Sequence, residues 1–134
     1  MSGYVAFLLT LAVRLTGYGM PAELPQIVVH DPAFIQDLAC GAHSCAARAF
    51  TVGTTIHVDR ALDPERPLGR ALLLHEMVHV LQNAWRGRAQ DCRDRIQRER
   101  EAFLVQAAYL ERFGVHDFNV AAALQRYPCQ GESK

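Results

Sequence analysis

Apolar residues recur along this chain at two spacings, and together they predict most of its elements. Near the N-terminus Thr10, Arg14 and Tyr18 fall every fourth residue and leave an apolar face of Val5, Leu8, Leu9, Ala12 and Leu15, the pattern of an amphipathic helix. The run Tyr4 to Val13 is shorter than the roughly 20 residues a bilayer span requires. Arg14 follows the run instead of preceding it, so an intact signal peptide is not expected. Gln26 to His30 reads as a short strand stopped by Asp31-Pro32, with a short helix from Pro32 to about Leu38 after it. Ala47 to Asp59 is rich in β-branched residues around Gly53. It predicts a hairpin, with Ala47 to Thr51 turning near Val52-Gly53 into Thr55 to Val58.

Two long helices follow. One is expected from about Leu68 to Ala84, with Gly87 placed where a helix end commonly needs a left-handed residue, and the next from Asp91 to Phe113. A last helix is expected over Phe118 to Tyr127, before Pro128. The expectation is an α+β fold, mostly helical, with a small antiparallel hairpin packed on the first long helix. No repeat or linker interrupts the chain, and residues 1–134 read as one domain.

Composition narrows the function classes. Lys plus Arg and Asp plus Glu number 14 each, so no overall field draws the protein to nucleic acid or anionic lipid. Half of the residues are hydrophobic, as in a globular chain. Cys40, Cys45, Cys92 and Cys129 form an even set without Cys-x-x-Cys spacing. The expected pairs are Cys40 with Cys45 and Cys92 with Cys129, which implies a periplasmic or secreted protein. Four buried thiols in a cytosolic protein are the alternative, and a four-cysteine zinc site is the weaker third reading.

The chemistry lies in the first long helix, which reads Leu72-Leu-Leu-His75-Glu76-Met-Val-His79-Val-Leu-Gln82. Residues four apart project from one helix face, so His75 and His79 can reach a single metal ion, with Glu76 beside them as a base for metal-bound water. Catalytic zinc needs a third protein ligand. A metzincin would place histidine where Trp85 stands and glycine where Gln82 stands, which excludes that pattern. The second long helix offers Glu99, Glu101 and Glu111. Glu99 shares an inward stripe with Ile96, Ala102, Phe103 and Gln106, whereas Glu101 lies in phase with Asp94, Gln97 and Arg98. Glu99 is the expected third ligand, with Glu101 close behind.

His75-Glu76-Met-Val-His79 followed by Glu99-Arg-Glu-Ala102 resembles the gluzincin clan of zinc metallopeptidases, in particular its minimal single-domain members. Leu73 and Gln82 extend the resemblance to small bacterial proteins with Leu-x-His-Glu-x-x-His-x-x-Gln and a preceding hairpin. The likeness covers about Ala47 to Leu110. It implies a zincin-like fold, a Zn2+ cofactor held by His75, His79 and Glu99, and hydrolysis of peptide bonds.

On that reading Glu76 is the general base, and Tyr109, His116 or Tyr127 supplies a donor for the developing oxyanion. The strand Thr55 to Val58 would pair an extended peptide or protein substrate along its edge. Gln82 can orient a ligand or cap polar surface. His30, His43 and His57 read as scattered strand and loop histidines, and the arginines between Arg86 and Arg100 as a solvated, salt-bridged face. Two other functions share the same motif: a zinc-stabilised binding or regulatory module without turnover, and a metallohydrolase acting on a non-peptide amide.

Overall fold

A computed structural model describes residues 2–40 and 47–129. In chain order the elements are α1 (Ser2–Thr16), β1 (Gln26–His30), α2 (Pro32–Cys40), β2 (Ala49–Val52), β3 (Thr55–Asp59), α3 (Pro67–Arg86), α4 (Cys92–Glu111) and α5 (Val120–Leu124). The fold is α+β and mostly helical, with one three-stranded sheet.

The central element is α3. Leu73, Leu74, Met77, Val78 and Leu81 have no exposed surface, and they meet Leu8, Leu9 and Ala12 of α1, Ile56 and Val58 of β3, and Ala102, Val105 and Leu110 of α4. A helix apolar on several sides has to be covered on several sides. Here α1, α4 and the sheet supply the cover. Pro67 opens α3 at a position whose N–H has no partner inside the helix. Gly69 lets the first turn lie directly on the Asp63 carbonyl, which an added Cβ would strike. Gly87 closes the helix at φ 70°, as expected of a C-terminal glycine.

The sheet departs from the expected purely antiparallel hairpin. β2 and β3 pair antiparallel, with Phe50 opposite His57, but β1 adds to the other side of β3 in parallel, with Gln26 beside Thr55 and His30 beside Asp59. A parallel pair needs a crossover of a dozen or more residues, and the segment containing α2 and β2 provides it. Periodicity along one strand carries no information about the direction of its neighbour. The order β1-β3-β2 also moves the free edge. The strand Thr55 to Val58, expected to receive substrate, is the middle strand with both sides filled.

Three other expectations shift in detail. Leu15, assigned to the buried face of α1, is 45% exposed at the helix end. The last helix is a short Val120–Leu124, capped by the Asn119 side chain, which accepts from the Ala122 amide at 3.0 Å. Arg98 is not part of a solvated face: it is buried, donates to the Gly87 carbonyl at 2.6 Å and pairs with Asp94 at 3.2 Å, clamping the end of α3 to α4. Arg86 joins the same carboxylate at 2.8 Å.

Cys92, at the start of α4, is disulfide-bonded to Cys129, with their Cα atoms 5.6 Å apart. The Cys40 with Cys45 pairing and the place of His43 lie outside the described residues. The bridge ties the segment after α5 to the helix that carries Glu99. Breaking a cross-link 37 residues apart in sequence costs about 4 kcal/mol in the chain-entropy account. Thermal unfolding of a Cys92→Ser, Cys129→Ser variant is therefore expected at a clearly lower midpoint than wild type, and an unchanged midpoint would show that the bridge does not hold the tail.

Candidate metal centre

His75 and His79 stand one turn apart on α3, and Glu99 faces them from α4. Glu99 Oε1 lies 2.9 Å from His75 Nε2 and 3.2 Å from His79 Nε2, and the two Nε2 atoms are 3.2 Å apart. One potential ligand atom from each residue falls within 4.8 Å of the others. Two imidazole nitrogens and a carboxylate oxygen around one point form a donor set that can hold a divalent metal ion.

Both histidines are oriented by glutamine amides. His75 Nδ1 is 2.9 Å from Gln106 Oε1, and His79 Nδ1 is 2.8 Å from Gln82 Oε1. An amide oxygen only accepts, so each Nδ1 carries the hydrogen and each Nε2 is left facing the cluster. His75 is further held by the edge of the Phe103 ring, 4.5 Å between centroids.

The other two glutamates on α4 have different partners. Glu101 Oε1 accepts from Gln82 Nε2 at 2.9 Å and from the Tyr18 hydroxyl at 3.1 Å. Glu111 is exposed beside His116, 3.9 Å away. Helix phase separates them: Ala102, Phe103 and Gln106, which share the Glu99 stripe, are all buried.

Glu76 is buried within the α3 turn that bears the histidines, 6% exposed. Its Oε1 accepts a 2.7 Å hydrogen bond from the Thr51 hydroxyl of β2, which is also 3.3 Å from the Glu76 carbonyl. Thr51 and Gln106 were not singled out in the sequence. Thr51 shows only as one β-branched residue among several in a hairpin, while Gln106 lay on the Glu99 stripe and its polarity on a buried face was a usable signal.

Of the three oxyanion-donor candidates, two point elsewhere. The buried Tyr109 hydroxyl accepts from Arg70 Nε at 2.7 Å, and His116 is solvent-exposed beside Glu111. Tyr127 lies by the site. Its ring sits 6.0 Å from Phe103 and the residue is 41% exposed; partial burial, followed by the negative charges of Glu99 and Glu76, pushes its phenol up to about 12. His30 and His57 are not scattered. They bond Nε2 to Nδ1 at 2.8 Å within a stack that Phe34 and Phe50 extend, and burial followed by the neighbouring His30 lowers the His57 pKa.

Fold and site together define a small α+β domain built around a His-His-Glu cluster that could hold a metal ion. The chain belongs to the eCIS core domain family, whose model matches residues 17–87, just over half of its length. The matched segment includes His75, Glu76, His79 and Gln82 and ends before α4, so Glu99 comes from outside it. No curated protein and no solved structure matches the chain.

The electrostatics of the cluster predict how the binding of a divalent metal ion there would depend on pH. Burial works against charge on His79, but the hydrogen bond to Glu99 and the charges of Glu76 and Glu99 outweigh it and raise the imidazole to about 9. Burial acts on Glu99 in the opposite sense from its two imidazole hydrogen bonds, which hold it down to about 2. Below about pH 9 the metal-free His79 is therefore an imidazolium, and a metal has to displace its proton. Apparent affinity for a divalent metal ion, with zinc as the probe, is expected to climb roughly tenfold per pH unit from 6 to 8 and to flatten above 9, with about one proton released at pH 7. Calorimetry in buffers of different ionisation enthalpy measures both quantities, and a pH-independent affinity would contradict the assignment. In the same assay Glu99→Ala is expected to lose most of the zinc affinity.

Proposed function

We propose that this protein is a small zinc-dependent peptidase of gluzincin type, in which His75, His79 and Glu99 hold the ion and Glu76 is the general base. The observation that carries this reading is Glu76 itself. A carboxylate buried beside the triad and held by Thr51 at 2.7 Å is costly to keep in a core, and a purely structural metal site has no use for it. A zinc ion bound here would polarise a scissile carbonyl and acidify water. Glu76 would take the proton from the attacking water and deliver it to the leaving amine. The Thr51 hydrogen bond fixes one carboxylate oxygen, leaving the other for that transfer. Tyr127, whose phenol keeps its proton at neutral pH, would donate to the developing oxyanion.

The substrate edge in this reading is β2 rather than β3. β2 is one of the two outer strands of the sheet, and it is the one whose Thr51 already touches Glu76. An extended peptide lying along β2 would gain main-chain hydrogen bonds there and pass over the cluster. The Cys92–Cys129 bridge favours an oxidising compartment, periplasmic or secreted. No helix among the described residues is long and apolar enough to cross a membrane.

The test is hydrolysis of a quenched-fluorescent peptide library with zinc content measured in parallel. Glu76→Gln is expected to keep zinc and lose turnover by about a hundredfold or more. Tyr127→Phe is expected to keep zinc and KM while kcat falls by roughly 10². A zinc-loaded wild type that cleaves nothing in the library would overturn the peptidase reading.

A further inference from the structure

Gln82 is a fully buried polar side chain in the midst of the α3 core. Its two ends are chemically distinct, and its surroundings sort them. Nε2 donates to the Arg98 carbonyl at 2.9 Å and to Glu101 Oε1 at 2.9 Å. Both of those partners can only accept, so the amide nitrogen has to point at them. The amide oxygen is thereby turned to His79 Nδ1, 2.8 Å away. A flipped amide would set its oxygen against two other oxygens and offer a donor to a nitrogen that has to donate. Glu101 is fixed in turn by the Tyr18 hydroxyl at 3.1 Å, from the segment that follows α1.

We propose that Tyr18, Glu101 and Gln82 form a hydrogen-bonded relay that holds the hydrogen on His79 Nδ1, so that Nε2 is the nitrogen a metal takes once it displaces the other proton, and that Glu101 is a positioning residue and not a ligand. The proposal rests on the metal-centre part of the reading above and is independent of whether peptides are cleaved. It accounts for two acidic positions on α4, separated only by Arg100, with unlike roles. Glu99 faces the Nε2 atoms, while Glu101 sits two residues on and reaches the same histidine only through an amide. At His79 itself the relay presents a neutral amide oxygen, with the Glu101 charge one hydrogen bond further away. A carboxylate against Nδ1 would draw the proton and make the imidazole a stronger donor to the metal, whereas an amide oxygen orients the ring and leaves the ion a better Lewis acid.

The test reads the relay and the metal separately. Side-chain amide protons of Gln82, followed by nuclear magnetic resonance in the metal-free protein, are expected to exchange slowly in wild type. They should exchange faster in Glu101→Ala and return toward wild type in Glu101→Gln, which keeps an acceptor oxygen but removes the charge. Unchanged Gln82 exchange in Glu101→Ala would overturn the relay whatever the metal does.

Zinc affinity by chelator competition is expected to fall about 10–100-fold in Gln82→Leu and in the same sense in Glu101→Ala. Glu101→Gln should largely restore it. The double variant Gln82→Leu, Glu101→Ala should bind no more weakly than Gln82→Leu alone, since Glu101 acts only through the amide. Losses that add in full, or a Glu101→Gln as weak as Glu101→Ala, would make Glu101 a direct electrostatic or ligating residue and overturn the proposal. Tyr18→Phe and Glu101→Gln leave the apolar core of α3 untouched, so the test does not depend on Gln82→Leu folding. Tyr18→Phe is expected to speed Gln82 exchange, and unaltered exchange there would remove Tyr18 from the relay.

Discussion

The structure depends on the need to partner three polar side chains that lie inside an apolar helix. His75, Glu76 and Gln82 are buried in α3 among Leu73, Leu74, Met77, Val78 and Leu81, where an unsatisfied polar group costs on the order of 1–3 kcal/mol and an unpaired charge more. Most of the partners therefore come from other elements. α4 supplies Glu99 and Gln106 to His75 and the Arg98 carbonyl and Glu101 to Gln82, β2 supplies Thr51 to Glu76, and Tyr18, after α1, holds Glu101 in turn. Among the described residues no buried side-chain nitrogen or oxygen lacks a hydrogen-bond partner. The elements that close the core are thus the ones that assemble the site.

Packing and chemistry constrain each other in this arrangement. α4 cannot rotate on α3 without separating Glu99 from the histidines and exposing Ala102 and Phe103. Arg98 and the Cys92–Cys129 bridge act at the beginning of α4, one by clamping the end of α3 and the other by tying the chain after α5 to the same helix. That chain includes Tyr127, so this phenol is held by a covalent bond two residues beyond it. In the metal-free cluster the Glu99 carboxylate favours a protonated His79, and a cation bound there would replace that proton.

Much of this was legible in the sequence, for identifiable physical reasons. The four-residue spacing of His75 and His79 dictates their common face, and the stripe Ala102, Phe103 and Gln106 marks Glu99 as inward-facing, because helix phase is fixed by local geometry. The two long helices were expected within a few residues of where they lie, since their apolar patterns are long and their ends carry proline and glycine. Information that depends on contacts between distant segments was not legible. The parallel pairing of β1, the edge position of β2 and the bond from Thr51 to Glu76 all follow from how the sheet docks on α3. Glu101 looked like a competing ligand because phase alone does not reveal that Gln82 and Tyr18 occupy its carboxylate. The His30 and His57 pair was hidden in the same way, by a strand pairing that neither strand announces.

The central claim is that α3 and α4 together present two imidazoles and one carboxylate to a single zinc ion. Zinc K-edge X-ray absorption of the stoichiometrically loaded protein tests it most directly. The account predicts a first shell of nitrogen and oxygen only, at about 2.0–2.2 Å, with the multiple-scattering signature of two imidazoles, reduced to a shell with one fewer protein oxygen in Glu99→Ala. A shell containing sulfur, a single imidazole, or a spectrum unchanged by Glu99→Ala would contradict it.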